Sequence, residues 1–179
     1  MHTVIDALRE TVALERQTMA LYARFSECFA SDRKMSEFWF EMARDEARHV
    51  GALELVETML QLRGVSDRVD PSVFDQSAVT RSRKLLEKAA NESKAALSIQ
   101  RALEIALEIE ESELEDVVGS LLRSVKQGGE YARFQRLLVH DLGNLSYMIE
   151  RYCDNPELLQ RCDALVNRHA EALSGLVQQ

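Results

Sequence analysis

The sequence predicts an all-α protein: an antiparallel four-helix bundle made of two helical hairpins joined by a long crossover, with a fifth helix at the C-terminus. Three observations predict it. The 179 residues include only seven Gly and two Pro, too few to punctuate a strand-rich fold. Apolar residues recur three or four apart over long stretches, the period of a helix face. The segment lying between the two halves loses that period. At this length one domain with its own core is expected, divided into a first hairpin over 1–63, crossover and lead-in over 64–92, a second hairpin over 93–153 and a C-terminal helix over 154–179.

Helix one is expected from Val4 to Ala30, where Leu8, Val12, Met19, Tyr22, Phe25 and Phe29 trace one face. Ser31 and Asp32 then provide capping chemistry. Met35, Phe38, Met42, Ala43, Val50, Leu53, Val56 and Leu60 mark helix two, which stops near Gly64. From Gly64 to about Val79 the pattern lapses around Asp70-Pro71, a crossover rather than a tight turn. A short lead-in helix over Arg83 to Ala90 precedes helix three, marked by Ala96, Ile99, Leu103, Ala106, Leu107, Leu114, Val117 and Leu121 and ended by Gly128-Gly129. Helix four runs from about Glu130 to Cys153 on Phe134, Leu137, Leu138, Leu145 and Met148. Asn155 and Pro156 form a cap-then-first-turn signal for helix five, whose stripe Leu158, Leu159, Cys162, Leu165, Val166, Leu173 and Leu176 carries a structural His169.

A formal charge of −8 argues against a nucleic-acid partner, since phosphate affinity needs clustered Lys and Arg. Cys28, Cys153 and Cys162 form no C-x-x-C pair and read as small buried hydrophobes. Charged residues arrive too early for a signal peptide, and no uncharged run approaches the ~20 residues of a membrane span. A cytoplasmic protein with no membrane partner is expected.

Four acidic residues interrupt the apolar stripes where Leu would be expected: Glu15, Glu46, Glu110 and Asp141. A carboxylate on a core-facing position is costly unless compensated. Two divalent cations would balance four such charges. His49 follows Glu46 by three residues on the same face, so both can reach one ion. The spacing repeats between halves: adding 95 carries Glu15 to Glu110, Glu46 to Asp141 and His49 to Asn144, with apolar partners Leu14 and Ile109, Val50 and Leu145, Leu53 and Met148 in the same register. Two hairpins so related bring their carboxylates around a pseudo-twofold axis. Glu104, Glu108, Glu111 and Glu115 fall off the stripe of helix three and read as a solvated face. Tyr22 lies two turns beyond Glu15, ~10 Å in axial rise, which places it in the core near the carboxylates and outside their ligand set.

The segments ALRETVALERQTMALY, ARDEARHV and ALEIALEIEESELEDV resemble the helices of rubrerythrin-type members of the ferritin-like superfamily, over about residues 4 to 153. The resemblance implies a ferritin-like bundle. It also implies two iron or manganese ions held by a Glu from helices one and three and a Glu-x-x-His pair from helices two and four. Glu15, Glu46, His49 and Glu110 match that pattern, whereas VHDLGNL offers Asp141 for the Glu and Asn144 for the second His. Asn supplies only a neutral carbonyl oxygen, a poorer ligand than imidazole for iron, so the second ion should bind more weakly. His140, about 100° around the helix from Asp141, is expected outside the ligand set.

Two functions follow. One is a non-haem di-iron oxidoreductase acting on peroxide or dioxygen or oxidising ferrous iron. It would be a homodimer served by an external electron donor, because the chain lacks the two C-x-x-C pairs of a rubredoxin domain. The other is a helical binding or structural module with a mononuclear or vestigial site. Carboxylate-rich sites also accept manganese and zinc.

Overall fold

A computed structural model describes residues 3–64, 75–112, 117–119 and 130–177. Among the described residues the principal helices are α1 (Val4–Cys28), α2 (Arg33–Leu62), α3 (Gln76–Glu92), α4 (Ile99–Glu110), α5 (Glu130–Tyr152) and α6 (Pro156–Val177). The rest of the described chain is helix 117–119, turns and short connections. The all-α expectation holds at this level.

Local chemistry starts most of these helices where the chain supplies a capping side chain. Thr3 accepts from the Asp6 amide while Asp6 accepts from the Thr3 amide, a reciprocal capping box for α1. Asp32 accepts from Lys34 and Met35 to open α2. Asp75 and Ser98 do the same for α3 and α4, and the side-chain carbonyl of Asn155 accepts from the Leu158 amide at 3.1 Å ahead of α6. Each such cap stabilises its helix by about 1 kcal/mol. Beyond α2, Gly64 takes φ +66°, a left-handed conformation that ends the helix at little cost only for a residue without Cβ.

The helices close into a ring. α1 packs on α2, α2 on α5, α5 on α4, α4 on α3, and α3 back on α1, while α6 covers α5 from outside. The interior holds Leu8, Leu14, Tyr22, Phe25, Met35, Trp39, Leu53, Leu103, Leu107 and Ile149, all nearly inaccessible. Trp39 anchors one end: its ring centroid lies 4.9 Å from that of Phe25 in an edge-on contact, 4.7 Å from Phe38 and 5.6 Å from Tyr22. Repeat partners share burial, with Leu14 and Ile109, Val50 and Leu145, and Leu53 and Met148 all in the core.

Several boundaries differ from those the sequence predicts. The lead-in helix is longer than expected, because Asp75 caps it and Ala78, Val79, Ser82, Leu86 and Ala89 give it a buried face of mostly small residues. Helix three ends at Glu110, followed by a turn at Glu111 and Ser112, although its apolar period runs on to Val117, which is buried within the helical stretch 117–119. Cys162 is buried as expected, whereas Cys28 is exposed and Cys153 half-buried. The crossover over 65–74, with Asp70-Pro71, and Leu114, Glu115, Leu121 and Gly128-Gly129 lie outside the described residues.

Candidate metal centre

Glu15 sits mid-way along α1, Glu46 and His49 one turn apart on α2, Glu110 on the last residue of α4, and Asp141 mid-way along α5. All five side chains are buried, Glu15 completely and the others 4 % exposed. The apolar stripes carry them inward, since each occupies a stripe position flanked by core residues such as Leu14, Val50, Ile109 and Leu142.

The inner group is Glu15, Glu46 and His49, whose ligand atoms all lie within 4.8 Å of one another. His49 Nδ1 stands 3.2 Å from Glu46 Oε2 and 3.7 Å from Glu15 Oε2, so one ring nitrogen faces two carboxylates from two helices. The His49 ring is braced by Phe134, centroid to centroid 5.0 Å. Neither oxygen of Glu15 has a hydrogen-bond partner among the described residues. A fully buried carboxylate without donors is expensive. A cation between Glu15, Glu46 and His49 would supply the missing compensation, and their oxygen and imidazole donors suit iron, manganese or zinc. The residues therefore fit a metal.

Electrostatics joins the second half to this group. Burial, followed by repulsion from Glu15, Glu110 and Asp141, holds the Glu46 carboxyl well above its ordinary range. Burial also pushes the Glu15 carboxyl up, but His49 and Glu46 outweigh it and hold that group below its ordinary value. The two carboxyls therefore titrate together as one coupled pair. Glu110 is pushed up to about 7, by burial foremost and by Asp141, against a lowering hydrogen bond from Tyr22. Asp141 is likewise pushed up to about 7 by burial and by the charge of Asp45, with His140 opposing.

The remaining residues are distributed unevenly. The Tyr22 hydroxyl donates to Glu110 Oε1 at 3.0 Å, so it supports a carboxylate directly. Asn144 is only half-buried. Its amide nitrogen lies 3.3 Å from His140 Nδ1, and the residue lines an open surface cleft of about 830 Å³ together with Phe38, Phe40, Arg44 and Tyr147. The pseudo-symmetry that matches Glu15 with Glu110 and Glu46 with Asp141 fails between buried His49 and half-exposed Asn144. Glu104 and Glu108 pair with Arg101, and Glu111 with Arg161, away from the cluster.

Two residues that the sequence did not place in the ligand set stand beside Asp141. Asp45, His140 and Asp141 form a second group whose ligand atoms lie within 4.8 Å of one another. His140 is exposed, as its offset from the stripe predicts, yet its Nδ1 reaches to 3.2 Å from Asp141 Oδ1. Asp45 is buried and ion-paired with Arg48. The signal was present in the repeat, since adding 95 to Asp45 gives His140.

The chain matches no protein-family model, no curated protein and no solved structure.

Proposed function

We propose that this chain is a ferritin-like metal protein of the rubrerythrin type, a helical bundle that holds iron and acts on peroxide or dioxygen or oxidises ferrous iron. The observation that carries the reading is the Glu15 carboxylate, fully buried with neither oxygen hydrogen-bonded among the described residues, within reach of Glu46 and His49. A buried anion without donors is what a protein retains when a cation completes the site. Glu15, Glu46 and His49 would hold the first ion, and Asp141, whose charge also acts on Glu110, would face the second. A reduced iron pair supplies two electrons to an O–O bond. The protein's part is to hold the carboxylates in place, to exclude bulk water with the surrounding Leu, Ile and Phe side chains, and to steady Glu110 through the Tyr22 hydroxyl.

The reading carries an electron donor, which these 179 residues, without a C-x-x-C pair, do not themselves supply. The reading also carries a homodimer, for which exposed Phe40 and Tyr147 beside one cleft offer apolar surface, and a cytoplasmic setting without nucleic acid. Among the described residues no helix is long and apolar enough to cross a membrane.

A second reading, a binding or structural module with a single ion, is favoured by Asn144, which stands half-exposed where the pattern has its second His. Metal analysis of protein purified without chelator separates the two. One or more transition-metal ions per chain, lost in Glu15→Gln, together with peroxide consumption driven by an added reductant, supports the first. Metal well below one per chain overturns it, and one tightly held ion without turnover of peroxide, dioxygen or ferrous iron favours the second.

A further inference from the structure

The second half of the cluster lacks an imidazole at Asn144, but it has one at a neighbouring position. We infer that the second ion is held by Asp45, His140 and Asp141, one helical position off the pattern, and that Asn144 positions the His140 ring instead of ligating. This second site rests on the metal reading proposed for the inner group.

Asp45 from α2 and His140 and Asp141 from α5 bring two carboxylate oxygens and a ring nitrogen within 4.8 Å of one another. Asp45 and Asp141 are each 4 % exposed, and His140 is the solvent-facing member. Two buried carboxylates that repel each other across a helix interface, with an imidazole closing the third side, are hard-oxygen and borderline-nitrogen donors of the kind divalent iron, manganese, cobalt and zinc accept. Asp141 belongs to both halves, since its charge acts on Glu46 and Glu110 as well as facing His140. The inner half carries the Glu15 oxygens that lack a hydrogen bond, and Asp141 is the carboxylate whose charge reaches both groups.

Two further residues tune the outer site. Asn144 Nδ2 lies 3.3 Å from the same His140 Nδ1 that stands 3.2 Å from Asp141 Oδ1, so the amide holds that edge of the ring toward Asp141 in the metal-free protein and gives up the Nδ1 lone pair when an ion takes it. The Arg48 guanidinium is paired with Asp45 and is half-exposed, so it competes with an ion for that carboxylate and can swing into solvent when displaced. The outer ion is therefore the weaker of the two and the more accessible.

The test uses Co²⁺ as the only added metal and the full chain, with stoichiometry and affinity read by calorimetry, ligation by visible absorption and folding by circular dichroism. Wild type should bind two Co²⁺ per chain with separate affinities. His140→Ala should weaken the looser ion about tenfold or more and leave the tighter one. Asn144→Ala should cost that ion less than His140→Ala does. Arg48→Ala should tighten it about two- to fivefold, a gain that misfolding cannot imitate. Glu15→Gln should remove the tighter ion and spare the looser. The inference is overturned if His140→Ala leaves both affinities unchanged, if Asn144→Ala alone removes the looser ion, or if Arg48→Ala brings no tightening. One ion lost in Glu15→Gln and indifferent to His140→Ala would sink the outer site and leave the proposed function standing. Loss of binding in His140→Ala with Glu15→Gln silent would sink the inner site instead, and no Co²⁺ bound at all would sink both.

Discussion

The hydroxyl of Tyr22 on α1 donates to Oε1 of Glu110 on α4 at 3.0 Å, inside a core where both residues are out of water. It ties the two single-Glu helices of the cluster to each other. Tyr22→Phe deletes the donor and leaves a buried acceptor unsatisfied, a loss of about 1–3 kcal/mol. Urea unfolding of the metal-free protein should show a lower midpoint by that amount. Carboxyl chemical shifts should place Glu110 above its wild-type value of about 7, because the hydrogen bond that favours its ionised form is gone. An unchanged midpoint and titration would mean that the contact carries no energy.

Glu15 should be a residue that function retains at the expense of stability. Its carboxylate is completely buried, with His49 Nδ1 at 3.7 Å from one oxygen and Glu46 facing it. Leu has nearly its volume and suits a fully buried position beside Leu14. Glu15→Leu should therefore stabilise the metal-free protein by about 1–3 kcal/mol while abolishing tight metal binding. A lower melting temperature in metal-free Glu15→Leu would show that the carboxylate is satisfied by its protein neighbours.

Much of this site was legible in the sequence for a simple reason. Glu15, Glu46, Glu110 and Asp141 each replace an apolar residue on a helical stripe, and a stripe position predicts burial whatever residue occupies it. Asp45 and His140 do not stand out by stripe position, because each lies about 100° around its helix from the stripe, and only the meeting of α2 with α5 brings them to one place. The end of the helix at Glu110, with a turn at Glu111 and Ser112, was hidden because Leu114, Val117 and Leu121 continue the apolar period in the sequence, and periodicity records spacing alone. The helix from Gln76 was missed as far as Arg83 because its buried face, Ala78, Val79 and Ser82, is too small to write a strong pattern. Its Asp75 cap, accepting from the Ser77 amide at 2.7 Å, was the better signal.

The pH dependence of the metal-free protein should run opposite to that of most proteins stabilised by ionised carboxylates. Glu110 and Asp141 start from 4.5 and 3.8 and are raised to about 7 on folding, so between those limits the native state holds protons that the unfolded chain has released. Their contribution is full below about pH 4 and is lost as pH rises through about 7. Glu46 acts in the same direction, and Glu15, lowered on folding, opposes them by adding stability above its ordinary range. The metal-free melting temperature should fall between about pH 5 and 7.5. Each proton that the native state alone retains costs about 1.4 kcal/mol for every pH unit climbed, a few kcal/mol in all. Metal reverses the slope, because binding displaces the same protons and affinity climbs through about pH 7. A metal-free melting temperature that rises over this range would show that the carboxylates are ionised in the native state.

Restoring the missing imidazole should strengthen the looser ion. Asn144 is one turn from Asp141 on α5, with the same spacing that joins His49 to Glu46 on α2. A ring placed there brings a good nitrogen donor to the metal beside His140, at a position whose wild-type amide does not ligate. Helix propensity changes little between Asn and His, and the half-exposed position next to a cleft of about 830 Å³ has room for the larger side chain. Asn144→His should therefore raise the affinity of the weaker ion about tenfold and leave the Glu15, Glu46 and His49 ion unchanged. Calorimetric titration with Co²⁺ reads both values in one experiment. No gain would mean that the backbone of α5 holds position 144 too far from Asp141 and Glu110 for an imidazole to reach, so that the asymmetry of the centre resides in helix placement and not in the choice of one side chain.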